Sequence, residues 1–407
     1  VAVLAGFQSG AGARGGLEQQ LPEALDMDRV RADLAALQRI ADANGGTRAA
    51  GTAGYAASVR YVRDQLTRAG YRADVPTFPF TSYTEFVERG RQIAPRRRSF
   101  RVEALDYSPS TPQRGLRGRI VAADDGCEAT DFIGVRGRIA LARRGACFTA
   151  QKAQIASQLG ATALVVYNTE AGPLNATLGD PRAAPIPVAA VEAATARSFQ
   201  QGRVVIELTI RAHSKRTTQR NVVADNRPGA GRVLVIGGHL DSVREGPGIN
   251  DNGTGVAVVL EIARTLRQVA PQRPVRFAFW GAEEFGLFGS SAYARSADLR
   301  EIAAYLNFDM LGSSLNERVR EVYVGPFAAR WLSYFQSKGL RADVIDLAGR
   351  SDHAPFAQRG IPTGGLFAGI PRCYHLACDR LSSVDFVLLR ELAAAAAFGV
   401  AEFAPPG

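Results

Sequence analysis

The feature that most constrains this chain is Val233-Leu-Val-Ile-Gly, a short unbroken apolar run with His239 and Asp241 just beyond its end. A strand that is apolar at every position is buried on both faces, which places it inside a sheet covered by helices. The pattern recurs. Val275-Arg-Phe-Ala-Phe-Trp ends shortly before Glu283 and Glu284, and Ala303-Ala-Tyr-Leu-Asn-Phe ends just before Asp309. A helical stretch from Gly255 to about Val269 separates the first two runs. Strands alternating with helices imply an α/β fold with a largely parallel sheet.

In open α/β sheets, ligands bind beyond the carboxyl ends of the strands. Three strands therefore deliver His239, Glu283, Glu284 and Asp309 to one rim. The glycine-rich turn Gly248-Ile-Asn-Asp-Asn-Gly-Thr-Gly255 opens the helix and adds Asp251, and His375 arrives from a loop. Each residue has an ordinary reading when taken singly. Asp251 suits a turn, a Glu pair suits a solvated helix start, and a lone His is more often a structural partner than a ligand. Their joint appearance in this order argues against coincidence.

The mixture suits zinc, which takes imidazole nitrogen and carboxylate oxygen and leaves a position open for water. Two metals need a bridging carboxylate, which Asp251 can supply, and together they activate hydroxide and polarise a carbonyl. Glu283 and Glu284 are adjacent, so one can bind metal while the other handles a proton; spacing alone leaves the assignment open. Asp241, two residues after His239, is placed to accept from the second imidazole nitrogen.

The rest of the chain is less specific. A helical pattern runs from about Met27 to Tyr71, with Tyr55, Val59, Val62, Leu66 and Ala69 on one face and Gly70 as a C-cap. Residues 72–104 read as charged strands and loops. Between about 110 and 212, short apolar strands alternate with one helix, Thr149 to Leu159, and there is no His. With 407 residues, 46% of them hydrophobic, the chain can form two or three domains or one large domain with an insertion. No apolar run is long enough to span a bilayer. The net charge of +10 reads as a solvated basic surface. Arg96-Arg97-Arg98 lacks the aromatics of a nucleic-acid site. The four cysteines fall into two local pairs, Cys127 with Cys147 and Cys373 with Cys378, which suggests two disulfides and an oxidising compartment. Val1-Ala-Val-Leu-Ala-Gly could be the end of a signal sequence, and residues 1–22 are expected to lack order.

Gly237-Gly-His-Leu-Asp-Ser-Val, Trp280-Gly-Ala-Glu-Glu-Phe-Gly-Leu-Phe-Gly-Ser, Asn307-Phe-Asp-Met, Arg350-Ser-Asp-His-Ala-Pro-Phe and Cys373-Tyr-His-Leu-Ala-Cys-Asp, with the glycine-rich turn, resemble the secreted bacterial two-zinc aminopeptidases, Streptomyces-type leucine aminopeptidases above all. The likeness covers roughly 28–75 and 218–400. Gly137-Arg-Ile-Ala-Leu-Ala-Arg-Arg-Gly-Ala-Cys-Phe resembles the protease-associated domain inserted in many relatives, which the simpler Streptomyces-type enzymes lack. The loop from Gly369 to Cys373 is short beside theirs.

This resemblance implies a zinc-peptidase α/β/α sandwich in two parts, 23–108 and 214–407, around a β-rich insert at 109–213. It implies two Zn2+ ions. His239 and Asp309 would complete one site, Glu284 and His375 the other, and Asp251 would bridge. Glu283 would be the general base, Asp241 the orienting carboxylate and Tyr374 the donor to the oxyanion. Met310, Gly349, Arg350 and Phe367 would line the pocket for the first side chain. The expected activity is hydrolysis of hydrophobic N-terminal residues from peptides with a free N-terminus, through a metal-bridging hydroxide. The enzyme is expected to be a monomer, secreted or cell-envelope associated, without nucleic-acid partners. The rival readings are a carboxypeptidase or dipeptidase of the same fold, a receptor-like module without catalysis, and a one-zinc cyclising acyltransferase.

Overall fold

The structure is a computed structural model, and it describes residues 16–169, 172–229, 231–313 and 318–405. The Val233–His239 strand is buried at every residue and lies inside an eight-stranded sheet. It runs parallel to Val275–Trp280 on one side and Ile302–Phe308 on the other, and the latter runs parallel to Thr363–Phe367. Antiparallel pairs appear only outside this centre. Val222–Asp225 joins Val275–Trp280 on one flank, and Glu321–Tyr323 joins Thr363–Phe367 on the other. The sheet is thus mixed, with its parallel part at the heart.

Register fixes where the strands end. His239 is paired with Trp280, and Gly237 with Asn307. Asp309, two residues after Asn307, therefore comes level with His239, and Glu283 and Glu284 follow just beyond Trp280. The polar residues named from the sequence share one rim because the strands stop together.

Helices Met27–Asp42, Ala53–Arg68, Gly255–Val269 and Phe386–Phe403 pack in the largest hydrophobic core with Leu234, Ile236, Phe277 and Leu306 of the sheet. Asp26 and Asp385 cap two of these helices through their carboxylates, satisfying amide groups that a helix leaves unpaired. Glu261, fully buried on the Gly255–Val269 helix, accepts from Arg29 Nη2 at 2.7 Å and Nε at 3.0 Å. Such a charge tolerates burial because it is paired and hydrogen-bonded. A separate core gathers Trp280, Tyr305 and Phe356, with the rings of Tyr305 and Phe356 stacked at 4.3 Å.

The helical pattern from Met27 to Tyr71 is two helices rather than one. The break between them holds Gly45 and Gly46 at φ 76° and 84°, a backbone region that glycine enters without cost. The N-terminal expectation also changes. Leu17–Glu23 is a helix with Leu21 fully buried, so order begins within the 1–22 segment; residues 1–15 lie outside the described residues.

The second eight-stranded sheet is built around a long antiparallel ribbon of Thr77–Ala94 with Val205–Arg220. Leu116–Ala122, Ile139–Arg143, Ala163–Tyr167 and Val188–Val191 follow in parallel, with the expected helix at Thr149–Gln158. Residue 213 falls in the middle of the ribbon, and residues 77–104 contribute strands to this sheet as well. The sheet therefore extends beyond the expected 109–213 on both sides, because the ribbon's inter-strand hydrogen bonds tie the flanking chain into it. Phe80 and Tyr107 from this unit pack against Phe285 and Phe288 of the first, with Phe80 edge-on at 5.3 and 5.5 Å. Cys127–Cys147 and Cys373–Cys378 are both disulfides.

Gly255 opens the helix where the 248–255 turn lies against the end of the Ile302–Phe308 strand. A Cβ there would sit 2.1 Å from the Phe308 carbonyl oxygen and 2.4 Å from Asn252 Oδ1. Backbone cannot yield cheaply at that distance. Gly255→Ala is expected to destabilise the fold by about 1–3 kcal/mol, read as a lower urea midpoint at unchanged slope.

Candidate metal centre

The structure brings His239, Asp251, Glu283, Glu284, Asp309 and His375 together in one basin. Asp251 is its hinge. One carboxylate oxygen lies 3.1 Å from His239 Nε2, and the other 3.4 Å from His375 Nε2. Around His239 Nε2 stand Asp309 at 3.3 Å and Glu283 at 3.9 Å, while Glu284 lies 3.1 Å from His375 Nε2. Three groups of three, His239–Asp251–Asp309, Asp251–Glu284–His375 and His239–Glu283–Glu284, each place one ligand atom per residue within 4.8 Å of the others.

Both imidazoles are oriented from behind. His239 Nδ1 faces the backbone carbonyl of Asp241 at 3.2 Å, and His375 Nδ1 that of Asn175 at 2.8 Å. A carbonyl only accepts, so each Nδ1 carries the hydrogen and each Nε2 is turned to the carboxylates. The expected part for the Asp241 side chain is corrected here. Its carboxylate is 3.8 Å from His239 Nδ1, too far for a hydrogen bond. It accepts instead from the amides of Glu283 at 3.1 Å and Glu284 at 3.4 Å. The sharp turn after Trp280 needs an acceptor for those amides, and Asp241 fills that need.

The electrostatics follow from the crowding. Burial would lower the His239 pKa, but Glu283, Asp309 and Asp251 outweigh it and raise it well above the ordinary value. Burial would raise Asp251, but hydrogen bonds from both histidines hold it below the carboxylate range. Burial pushes Glu283 well up, and Asp352, Glu284 and Asp309 add to it against the opposing pull of His239. Asp241 rises to about 7, again chiefly through burial.

The donor set fits a zinc centre. It offers two imidazole Nε2 atoms and hard carboxylate oxygens, and a bound cation would take the place of the Nε2 protons. Glu284 Oε1 and Asp309 Oδ1 are buried without a hydrogen-bond partner, an arrangement that costs energy unless a cation completes it.

Tyr374 stacks on His375 at 3.8 Å and packs with Met310, Tyr323 and Phe367 in a small apolar cluster. Gly349 is partly buried, and Arg350 is exposed with its Nε donating to the Leu347 carbonyl at 3.0 Å. Cys373–Cys378 closes the short loop that carries Tyr374 and His375.

A peptidase family M28 model matches residues 221–399, and a PA domain model matches residues 116–199. The chain is 41% identical over 373 residues to the probable lipoprotein aminopeptidase LpqL of Mycobacterium tuberculosis, covering 84% of this chain and 74% of that one. The chain belongs to peptidase family M28. It is also 34% identical over 424 residues to an aminopeptidase of Pseudomonas aeruginosa, covering 90% of this chain and 78% of that protein. Among solved structures, the aminopeptidase from Aneurinibacillus sp. strain AM-1 matches with a TM-score of 0.77 at 27% identity, covering 96% of this chain and 97% of that one.

Several residues that shape this M28 site escape a reading of the sequence. Arg48, fully buried in the break between the first long helices, donates to the carbonyls of Leu240, Pro247 at 2.9 Å and Gly248 at 2.6 Å. It gathers the loop that runs from Asp241 to Asp251. Asp379 accepts from the amides of Asn250 at 2.7 Å and Asp251 at 3.0 Å. Ser351 donates to Asp309 at 2.6 Å and accepts from Asn307 at 2.8 Å. Asn175, from the inserted unit, also donates from Nδ2 to the His375 carbonyl at 2.6 Å. The signals available were for Ser351 and Asp379, each of which lies in a motif already singled out.

Asp379→Asn would turn an amide N–H₂ toward backbone donors. It is expected to cost about 1–3 kcal/mol of stability, measured by denaturant unfolding of the chelator-treated protein, so that the loss is read apart from any ion.

Proposed function

We propose that the chain is a zinc-dependent aminopeptidase that removes hydrophobic N-terminal residues from peptides. The observation that carries the proposal is Asp251, whose two oxygens face the Nε2 atoms of two histidines that belong to different ligand groups. A carboxylate so placed suits a bridge between two cations. His239 and Asp309 would complete one zinc site, Glu284 and His375 the other. The names of the relatives, aminopeptidases of Mycobacterium and Pseudomonas, support the same reaction.

Zinc bound here would lower the pKa of water and polarise the scissile carbonyl as a Lewis acid. The chain's own residues supply the rest. Glu283 takes a proton from the attacking water as its oxygen bonds to the carbonyl carbon. It returns that proton to the departing amine as the carbon–nitrogen bond breaks. Its burial among carboxylates favours holding a proton between these events. Asp241 fixes the Glu283–Glu284 backbone, so base and ligand keep their separate directions. Tyr374 supplies a hydroxyl toward the oxygen on which charge develops. Met310 and Phe367, in the apolar cluster with Tyr374, receive the first side chain; Gly349 and Arg350 belong to its rim. Among the described residues no helix is long and apolar enough to cross a membrane. With two disulfides, an oxidising location, secreted or at the cell envelope, is part of the proposal.

Glu283→Ala is expected to keep zinc, near two ions per chain, while turnover of leucine p-nitroanilide falls by about 10²–10⁴. His239→Ala is expected to lose metal as well as activity. Full activity in the Glu283 variant would remove its role as base. Peptides with blocked amino ends should resist cleavage and those with blocked carboxyl ends should not; the reverse result would make the enzyme a carboxypeptidase. Faster cleavage of lysine- or glutamate-terminated substrates than of leucine-terminated ones would overturn the hydrophobic preference.

A further inference from the structure

A cavity of about 130 Å³ lies between the two sheets, with Glu284 in its wall. Its lining is unbalanced in charge. Glu85, Glu88, Glu103 and Asp106 come from the inserted unit and Glu245 from the loop after His239, while the cations are Arg101 and Arg244. Both cations are committed. Arg244 pairs with Glu85 at 3.2 Å and Asp106 at 3.3 Å, and Arg101 with Glu103 at 3.3 Å. Glu88 and Glu245 stay in the lining without an ion-pair partner among the described residues. At the inner end, Glu284 is 5% exposed and its buried Oε1 has no hydrogen-bond partner. Glu284 is thus common to the cavity wall and the proposed reaction centre, which makes the two neighbours.

The basin has a second neighbour. The apolar cluster of Met310, Phe367 and Tyr374 adjoins it through Met310, next to Asp309 in the chain, and through Tyr374 stacked on His375, while the cavity shares Glu284 with it. In an aminopeptidase the first side chain and the departing peptide lie on opposite sides of the scissile bond. With the apolar cluster taking the first side chain, the cavity is left for the departing chain.

We propose that this cavity binds the residues after the scissile bond and selects peptides with lysine or arginine at the second or third position. The inference rests on the aminopeptidase reading above. Complementary charge at such a subsite confers selectivity more than raw affinity. The selection lies in the inserted unit as much as in the catalytic one, since carboxylates from both face the cavity.

The test compares kcat/KM for Leu-Lys-Ala, Leu-Ala-Ala and Leu-Glu-Ala, with wild-type enzyme and with Glu88→Gln/Glu245→Gln. The wild type is expected to favour the lysine peptide over the glutamate peptide by roughly tenfold. That ratio should fall to about threefold or less in the double variant, and also near 1 M salt, where exposed charges are screened. Because the ratio is taken within one preparation, partial misfolding of a variant cancels. Equal wild-type rates, or a ratio that survives the double variant, overturn the proposal. Leucine p-nitroanilide separates the two readings. If it is cleaved while the peptides show no discrimination, the subsite fails alone; if neither it nor any peptide is cleaved, the aminopeptidase reading fails first.

Discussion

Everything around the rim answers to one problem, the confinement of like charge. Asp241, Asp251, Glu283, Glu284, Asp309 and Asp352 converge on two imidazoles in a largely buried basin. Carboxylates repel at such spacing, and burial penalises each of them further. The fold offsets this locally with backbone amides on Asp241, with Ser351 on Asp309 and with both histidines on Asp251. Among these carboxylates, what remains unmet is the buried Oε1 of Glu284, the buried Oδ1 of Asp309 and both oxygens of Asp352. The arrangement is comprehensible as a receptacle for positive charge, and the surrounding scaffold serves to hold it open in one shape.

That scaffold is drawn from distant parts of the chain. Arg48 comes from a break between helices, Asp379 from beyond a disulfide loop and Asn175 from the inserted unit. The side chain of each acts on backbone, and the Asn175 main chain also holds the imidazole of His375. A buried guanidinium that collects three carbonyls is well suited to this, since its donors form a rigid planar fork. Arg48 accepts a cost for the position, its pKa lowered to about 10 by burial.

Much of this was legible in the sequence, for reasons that can be named. Apolar runs report buried strands, and chemistry at their ends reports the rim; hence Val233–His239, Asp251, Glu283, Glu284 and Asp309 were all visible. The long ribbon was not. Phe78 and Phe80 in Thr77–Ala94, and Ile206, Leu208 and Ile210 in Val205–Arg220, do alternate, but the rest of each strand is charged or polar and the pairing spans more than a hundred residues. Backbone-to-side-chain bonds were equally hidden. Nothing in the composition near Arg48 or Asn175 distinguishes an anchor from a surface residue, and the carbonyl that faces His239 belongs to a main chain whose path only the fold decides.

The contact between Asn175 and His375 has a consequence for how such a chain could change over time. The two residues exchange hydrogen bonds in both directions across the seam between the units. An insert that merely roofed the basin could be trimmed, replaced or swung aside as a lid. One that holds the rear nitrogen of an imidazole is instead a keystone. A descendant that shed it would first need another acceptor behind His375, so the two parts are bound to a common history.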